Sequence, residues 1–138
     1  MTIPYRIFKI ETNQFATFPD PFDNGSPVNV QTSFQFAASV DISNVRCQAH
    51  ILYKQGDSLL LVLDISTYFS IGDEGIKEIR KQGKVPVDFL RYIATIAVGA
   101  ARGIIHAKTE GSVLNAVVLP PINLVEIIHD DLVVATNP

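Results

Sequence analysis

The sequence has no tryptophan, one methionine and one cysteine in 138 residues, and only 18% of it is charged. A lone Cys47 cannot close an internal disulfide, so packing alone must hold the chain together. The three histidines, His50, His106 and His129, fall on separate stretches with no cysteine or carboxylate at ligand spacing, and no metal site is expected. A glycine-rich phosphate loop is missing too, since Gly72 and Gly75 lack the rest of the pattern, and there is no serine nucleophile elbow. Asp130-Asp131 reads as solvated charge near a terminus rather than an acid/base pair. These absences leave no catalytic constellation, so neither enzyme chemistry nor a cofactor is expected. Strong positive charge is also lacking: 11 basic residues, spread singly, against 14 acidic ones give a net charge of −3, which argues against nucleic acid or an anionic membrane as the main partner. The opening Met-Thr-Ile-Pro-Tyr-Arg has no basic region followed by an apolar core, so a reducing cytoplasmic compartment is expected. The most apolar stretch has only ten uncharged residues between Arg91 and Arg102. A hydrocarbon core demands roughly 20, so no direct membrane insertion is expected.

What is present is apolar surface. Hydrophobic residues make up 47% of the chain, and the mean hydropathy of +0.23 is high for so little charge. A single domain of this length buries a real core, and part of the remaining apolar surface is expected to meet other chains. The stretch from Val87 to Lys108 concentrates the effect. At 100° per residue, Phe89, Leu90, Ile93, Ile96, Ala97, Ala100, Ile104 and Ile105 cover most of a helix circumference, interrupted by Asp88, Arg91, Thr95, Arg102 and His106. Gly99 and Gly103 each weaken an isolated helix by about 1 kcal/mol relative to alanine, and packing must offset that. Such a helix is either the core of one domain or packs against its own copy. Composition favours the copy, with Phe89, Ile93, Ile96, Ala97, Gly99, Ala100, Gly103 and Ile104 as the contact.

Upstream the pattern is β. Ile3, Tyr5 and Ile7 alternate with polar neighbours and then change phase, which predicts a first strand that bulges near Phe8. Residues 15–27 carry three prolines and Asn24-Gly25 and fit neither helix nor strand. From Val28 to Ile42 the alternation is clean, a long strand with one wet face. After a break at Asn44, Val45, Cys47, Ala49, Ile51 and Tyr53 alternate with Arg46, Gln48 and His50, making Cys47 a small core residue. Lys54-Gln55-Gly56-Asp57 predicts a hairpin loop with a positive φ at the glycine. Leu59 to Ile65 is apolar on both faces, so protein on two sides or a contact surface is expected there. Gly72 to Gly75 reads as a turn, Ile76 to Lys81 as one short helical turn in a long, mobile connection, and Pro86 as the start of the long helix. Asn123 with Glu126 has the form of a capping box opening a short helix through Ile128, and the tail Ala135–Pro138 reads as frayed. Strands followed by helices give an α+β domain, 1–138, with the helices on one face.

Four short motifs carry a resemblance: Tyr68-Phe69-Ser70-Ile71, the Asp-Glu-Gly just after it, Arg102-Gly103, and Leu119-Pro120-Pro121-Ile122-Asn123-Leu124. In this order, with a similar opening Arg6-Ile7-Phe8 through Glu11, they resemble the SecB protein-export chaperone family over most of the chain. The resemblance implies a four-stranded antiparallel sheet with a long helix and a short C-terminal helix on one face. It also implies a homotetramer, a dimer of dimers packed through the long helix. One departure is evident: 16 residues, Ile104 to Leu119, separate the Arg-Gly from the proline turn, extending the helix or adding a loop or strand. The implied function is ATP-independent holding of unfolded or precursor polypeptides for export, with Glu11 and Asp64 as the nearest candidates for docking the SecA motor. Solitary relatives that chaperone the antitoxin of a toxin-antitoxin pair give an alternative, and a small apolar-ligand binding protein or a purely structural oligomer are further ones. Tyr68, Phe69, Ile71, Ile76, Ile79, Ile122, Leu124, Val125 and Ile128 are the expected lining of a client groove.

Overall fold

The computed structural model describes residues 3–134, so the tail Ala135–Pro138 lies outside the described residues. The fold is α+β. Strands β1 (Tyr5–Thr17), β2 (Asn29–Ala38), β3 (Asn44–Gln55) and β4 (Ser58–Ile71) are followed by α1 (Asp73–Gln82), β5 (Lys84–Val85), α2 (Val87–Lys108), α3 (Leu124–Ile127) and β6 (Leu132–Val133). The first four strands form one antiparallel sheet in the order β1-β4-β3-β2, and β5 pairs with β6 in a separate small ribbon. Among the described residues no helix is long and apolar enough to cross a membrane.

The strand patterns dictate this sheet. Val45, Cys47, Ala49, Ile51 and Tyr53 stand opposite Phe69, Thr67, Ile65, Leu63 and Leu61, and all of these side chains are buried on the face that α2 covers. Cys47 is part of that core, and burial pushes its thiol up to about 12, so it is an unreactive small side chain. The expected irregularity of β1 is present: its register against β4 slips between Ile7 and Lys9, and again between Thr12 and Gln14. Gly56 turns the β3–β4 hairpin at φ 56°, where a side chain would be strained. Phe15 to Thr17, expected to be irregular, extend β1, and the connection that remains, 18–28, is tied to β3 by Gln55, whose side-chain amide donates to the Asp23 and Ser26 carbonyls at 2.7 and 3.0 Å and accepts from the Asp23 N–H at 2.9 Å.

Three expectations are corrected. The connection after β4 is not one helical turn: α1 runs ten residues, with Asp73 and Glu74 at its positive end, Arg80 and Lys81 at its negative end, and Gly83 at φ 72° closing it through an N–H bond to Ile79 O. Gly75 reads as a breaker in the sequence, but here it is a packing requirement. A Cβ at that position would lie 2.8 Å from Ile3 Cγ2 and 2.9 Å from Ile71 Cγ2. The Asn123 capping box does not form either, since its side chain caps nothing and α3 has only four residues. The third correction concerns Leu59–Ile65. β4 is a central strand, so Val62, Asp64 and Ser66 on the uncovered face are closed over by side chains of β1 and β3 and need no second protein layer.

The departure at 104–119 resolves as a helix end plus a loop. Thr109 stops α2, its hydroxyl donating to Ile105 O at 2.7 Å; a 3-10 turn at Val113–Ala116 comes next, and the chain then runs extended. Side chains of α2 fasten this C-terminal segment to the helix. The Arg102 guanidinium donates to the carbonyls of Leu119 (2.7 Å) and Pro120 (3.0 Å), and Arg91 donates to Ile128 O at 2.9 Å. Asp131 is not free charge, as the sequence suggests: one carboxylate oxygen accepts from the Val87 N–H at the start of α2 (2.7 Å) and the other from Lys84 Nζ (2.9 Å).

Candidate functional site

α2 lies across the two central strands and leaves its outer flank uncovered. Phe89, Leu90, Ile93, Ala94, Ala97, Val98, Ala101 and Ile105 face the sheet and are buried. Tyr92, Thr95, Gly99 and Gly103 face outward, with Ile96, Ala100 and Ile104 half-buried between the two sides. Of the residues expected to meet a second copy, Phe89, Ile93 and Ala97 are therefore under the chain's own sheet. Ile96, Gly99, Ala100, Gly103 and Ile104 remain accessible, and a Cβ at Gly99 or Gly103 would meet nothing within 4 Å.

Two open concavities meet on the N-terminal half of this helix. The larger, about 530 Å³, is walled by Ile3, Tyr5, Pro86 and Phe89. The smaller, about 390 Å³, is walled by Thr95, Ile122, Leu124 and Val125, and Asp88 and Tyr92 line both. Tyr5 organises the larger one by packing edge-on against Phe69, Phe89 and Tyr92, with ring centroids at 6.0, 5.6 and 5.5 Å. Partial burial first, and then the neighbouring Tyr92 hydroxyl, push the Tyr5 phenol above its usual pKa, so it stays neutral through the physiological range. The ridge carries one ion pair, Arg91 to Asp88 at 3.5 Å, whose carboxylate is fully in water. Tyr92, 59% exposed, and Val125, 62% exposed, present large apolar surface to whatever enters. The arrangement can take apolar side chains on either flank of Tyr92.

The expected groove residues do not gather in one place. Ile122, Leu124 and Val125 line the smaller concavity, with Ile76 half-buried elsewhere against the core. Phe69, Ile71, Ile79 and Ile128 are core residues. Tyr68 sits on the opposite face of the sheet, donating to Glu11 Oε1 at 2.6 Å. Ile3, Tyr5 and Tyr92 were not anticipated. The available signal was Tyr92 itself, a large aromatic on the outward side of a helix whose buried side was already filled.

The open face of the sheet holds a polar cluster that sequence reading also missed. His50 has a carboxylate partner that spacing along the sequence does not show: its Nδ1 is 2.8 Å from Asp64 Oδ2 across the β3–β4 ladder. Asp64 also accepts from Asn13 Nδ2 at 2.8 Å and from Gln48 Nε2 at 3.0 Å. Burial is the largest single influence on this carboxyl and pushes its pKa up, but the donors from Asn13, His50 and Gln48 together outweigh it and leave the value below the usual one. Both candidate docking carboxylates, Glu11 and Asp64, thus lie on this face with oxygens engaged internally. Among the described residues no three side chains of histidine, cysteine, aspartate or glutamate gather as a metal would require.

No protein-family model matches the sequence, and no curated protein matches it. Among solved structures, the chain is similar to the Mycobacterium tuberculosis SecB-like chaperone Rv1957 in complex with a ChAD peptide from the HigA1 antitoxin Rv1956. The two share 17% identity over 97% of this chain and 92% of the other, with a TM-score of 0.46.

Proposed function

We propose that this protein holds non-native polypeptide without ATP, by binding apolar side chains in the paired concavities on α2. The observation that carries the reading is the pair of concavities sharing Tyr92. Two adjacent open pockets, each with apolar walls broken by polar groups such as Gln82, Asp88, Arg91 and Asn123, fit a chain that offers successive side chains but no fixed shape, better than they fit a single compact ligand. The order of the four sequence motifs supports the same reading. A precursor awaiting export and an unfolded antitoxin segment present the same chemistry, and both fall within the proposal; SecA is a proposed partner through the open face of the sheet.

The test is suppression of aggregation of a denatured protein at stoichiometric ratio, without nucleotide. Tyr92→Ala should weaken client affinity by about tenfold or more, because exposed aromatic anchors carry much of an interface's energy. Its melting temperature should move little, since the ring is mostly in water already. Suppression by Tyr92→Ala equal to that of the wild type would remove the concavities from the function.

We also propose that the outward stripe of Ile96, Gly99, Ala100 and Gly103 packs against a second copy, within a homotetramer. Gly99→Leu separates the possibilities by sign. Facing water, it should stabilise the fold by roughly 0.5–1 kcal/mol through helix propensity, as nothing obstructs the new side chain. Facing a copy, it should overpack the contact by about 1–3 kcal/mol and dissociate the assembly. Sedimentation of wild type and variant reads this directly; a monomeric wild type at micromolar concentration ends the assembly proposal.

A further inference from the structure

The two outer strands of the sheet are built differently. β1 breaks register at Phe8 and at Asn13 and carries Arg6, Lys9 and Glu11, all features that discourage an added strand. β2 has none of these: its ten residues, Asn29–Ala38, contain no charge, proline or glycine, and they pair with β3 in unbroken register from Asn29↔Lys54 to Ala38↔Val45. Among the described residues β2 has no neighbour on its other side.

The free hydrogen-bonding groups on that side can be assigned. The Ser39 N–H donates to Asn44 O at 2.9 Å, and hydrogen-bonded and non-hydrogen-bonded pairs alternate along an antiparallel ladder. Gln31, Ser33, Gln35 and Ala37 therefore direct their N–H and C=O groups to β3. Those of Val30, Thr32, Phe34 and Phe36 point to the open edge. The side chains on the helix side of this edge are Val30, Thr32, Phe34 and Phe36, apolar except for the threonine hydroxyl, and on the open face they are Gln31, Ser33 and Gln35. Past Ala38 the edge continues into a gap of about 210 Å³ between Val40 and Ile42 on the turn and Leu132 to Val134 on the small ribbon. Val40 and Val133 at its mouth are 91% and 81% exposed.

We propose that the outer edge of β2 receives an extended, uncharged segment of non-native polypeptide as a fifth strand, with alternating apolar and polar side chains and one apolar side chain in the gap beside Val40. The inference rests on the chaperone reading and deepens it. Unpaired backbone groups recognise backbone, which every unfolded client has, and the lack of charge on β2 favours a segment that is itself uncharged. A pocket that read only side chains would have no use for a regular, unprotected edge.

The probe is a capped, fluorescent ten-residue peptide of alternating valine and serine, made in three forms: unmodified, N-methylated on the valines, and N-methylated on the serines. Edge binding uses the amides of one parity only, so one methylated form should lose about a hundredfold in affinity and the other should bind like the unmodified peptide. Thr32→Pro should weaken the unmodified peptide by about tenfold; its N–H faces outward, so no bond to β3 is removed. Should that variant unfold, hydrogen exchange on the wild type decides: the amides of Val30, Thr32, Phe34 and Phe36 should gain protection with the peptide. Equal binding of all three peptides, or no added protection, overturns the edge inference while aggregation suppression leaves the chaperone reading standing. Loss of aggregation suppression overturns both. Concentration-dependent protection of β2 without peptide would make its occupant a second copy and overturn the inference as well.

Discussion

Phe69→Ala should cost about 3–5 kcal/mol of stability, the largest loss among the substitutions considered for this chain. Phe69 is fully buried, stands opposite Val45 in the ladder, and receives the edge of the Tyr5 ring. The cavity left behind would be lined by well-packed strand and helix side chains that have little room to collapse. Leu124→Ala, at a half-buried position, should cost about 1–2 kcal/mol, because part of that side chain is in water already. Urea unfolding of both variants, beside a client titration of each while still folded, separates the roles. Phe69→Ala should bind client nearly as the wild type does, and Leu124→Ala should bind it less well. A Phe69→Ala variant with native stability and lost client affinity would move Phe69 from the core to the binding surface.

Asp64→Asn should cost about 2–3 kcal/mol at neutral pH. The carboxylate accepts from Asn13, Gln48 and His50, and hydrogen bonds to a charged acceptor are stronger than neutral ones. An asparagine there would offer one acceptor oxygen and turn an NH2 group toward donors. The sign with pH follows from the lowered carboxyl pKa. A group that holds its proton less tightly when folded adds stability above its unfolded pKa, about 3.9, and that contribution disappears as pH falls through the lower folded value. The gap between wild type and variant should therefore be full at pH 7 and shrink below about pH 4. Equal gaps in urea unfolding at pH 7 and pH 3 would mean that the carboxylate's charge is not what matters.

The helix layer and the sheet were legible for different reasons. Val87 to Lys108 is bounded by a proline before it and by Thr109 after it, and the structure starts and ends α2 at those residues. The Phe8 irregularity is legible in side-chain period, because a change of phase in a strand must put an extra residue somewhere, and so is the β2 alternation, although it continues to Ile42 while the strand ends at Ala38 and turns. The site was less legible. Period alone separates Tyr68 from Phe69 and Ile71, since neighbours on a strand point to opposite faces, so no single groove could contain all three. Period does not say which apolar positions lie beneath another element. Phe89 and Tyr92 both sit on an apolar helix, and only the crossing of α2 over β3 and β4 buries one and exposes the other. The Asp64 cluster depends on cross-strand register, joining Asn13, Gln48, His50 and Asp64 from three strands, which single-strand patterns do not carry. The sequence understates α1, because Gly75 looks like a breaker until its close neighbours, Ile3 and Ile71, are in place.

Asp131 has a consequence in time. The first N–H of α2 is satisfied by a carboxylate 44 positions further along the chain, and the carbonyls that Arg91 and Arg102 grip also come later in the sequence than the helix itself. A nascent chain leaving the ribosome N-terminus first can pair its four long strands and begin α2, but it must wait for Asp131, well past the end of α2 at Lys108, before the helix gains its cap. At roughly 5–20 residues per second, that leaves the first turn of α2 without its cap for a second or more. A protein proposed to shield other unfinished chains thus has an unfinished interval of its own, ended by one aspartate.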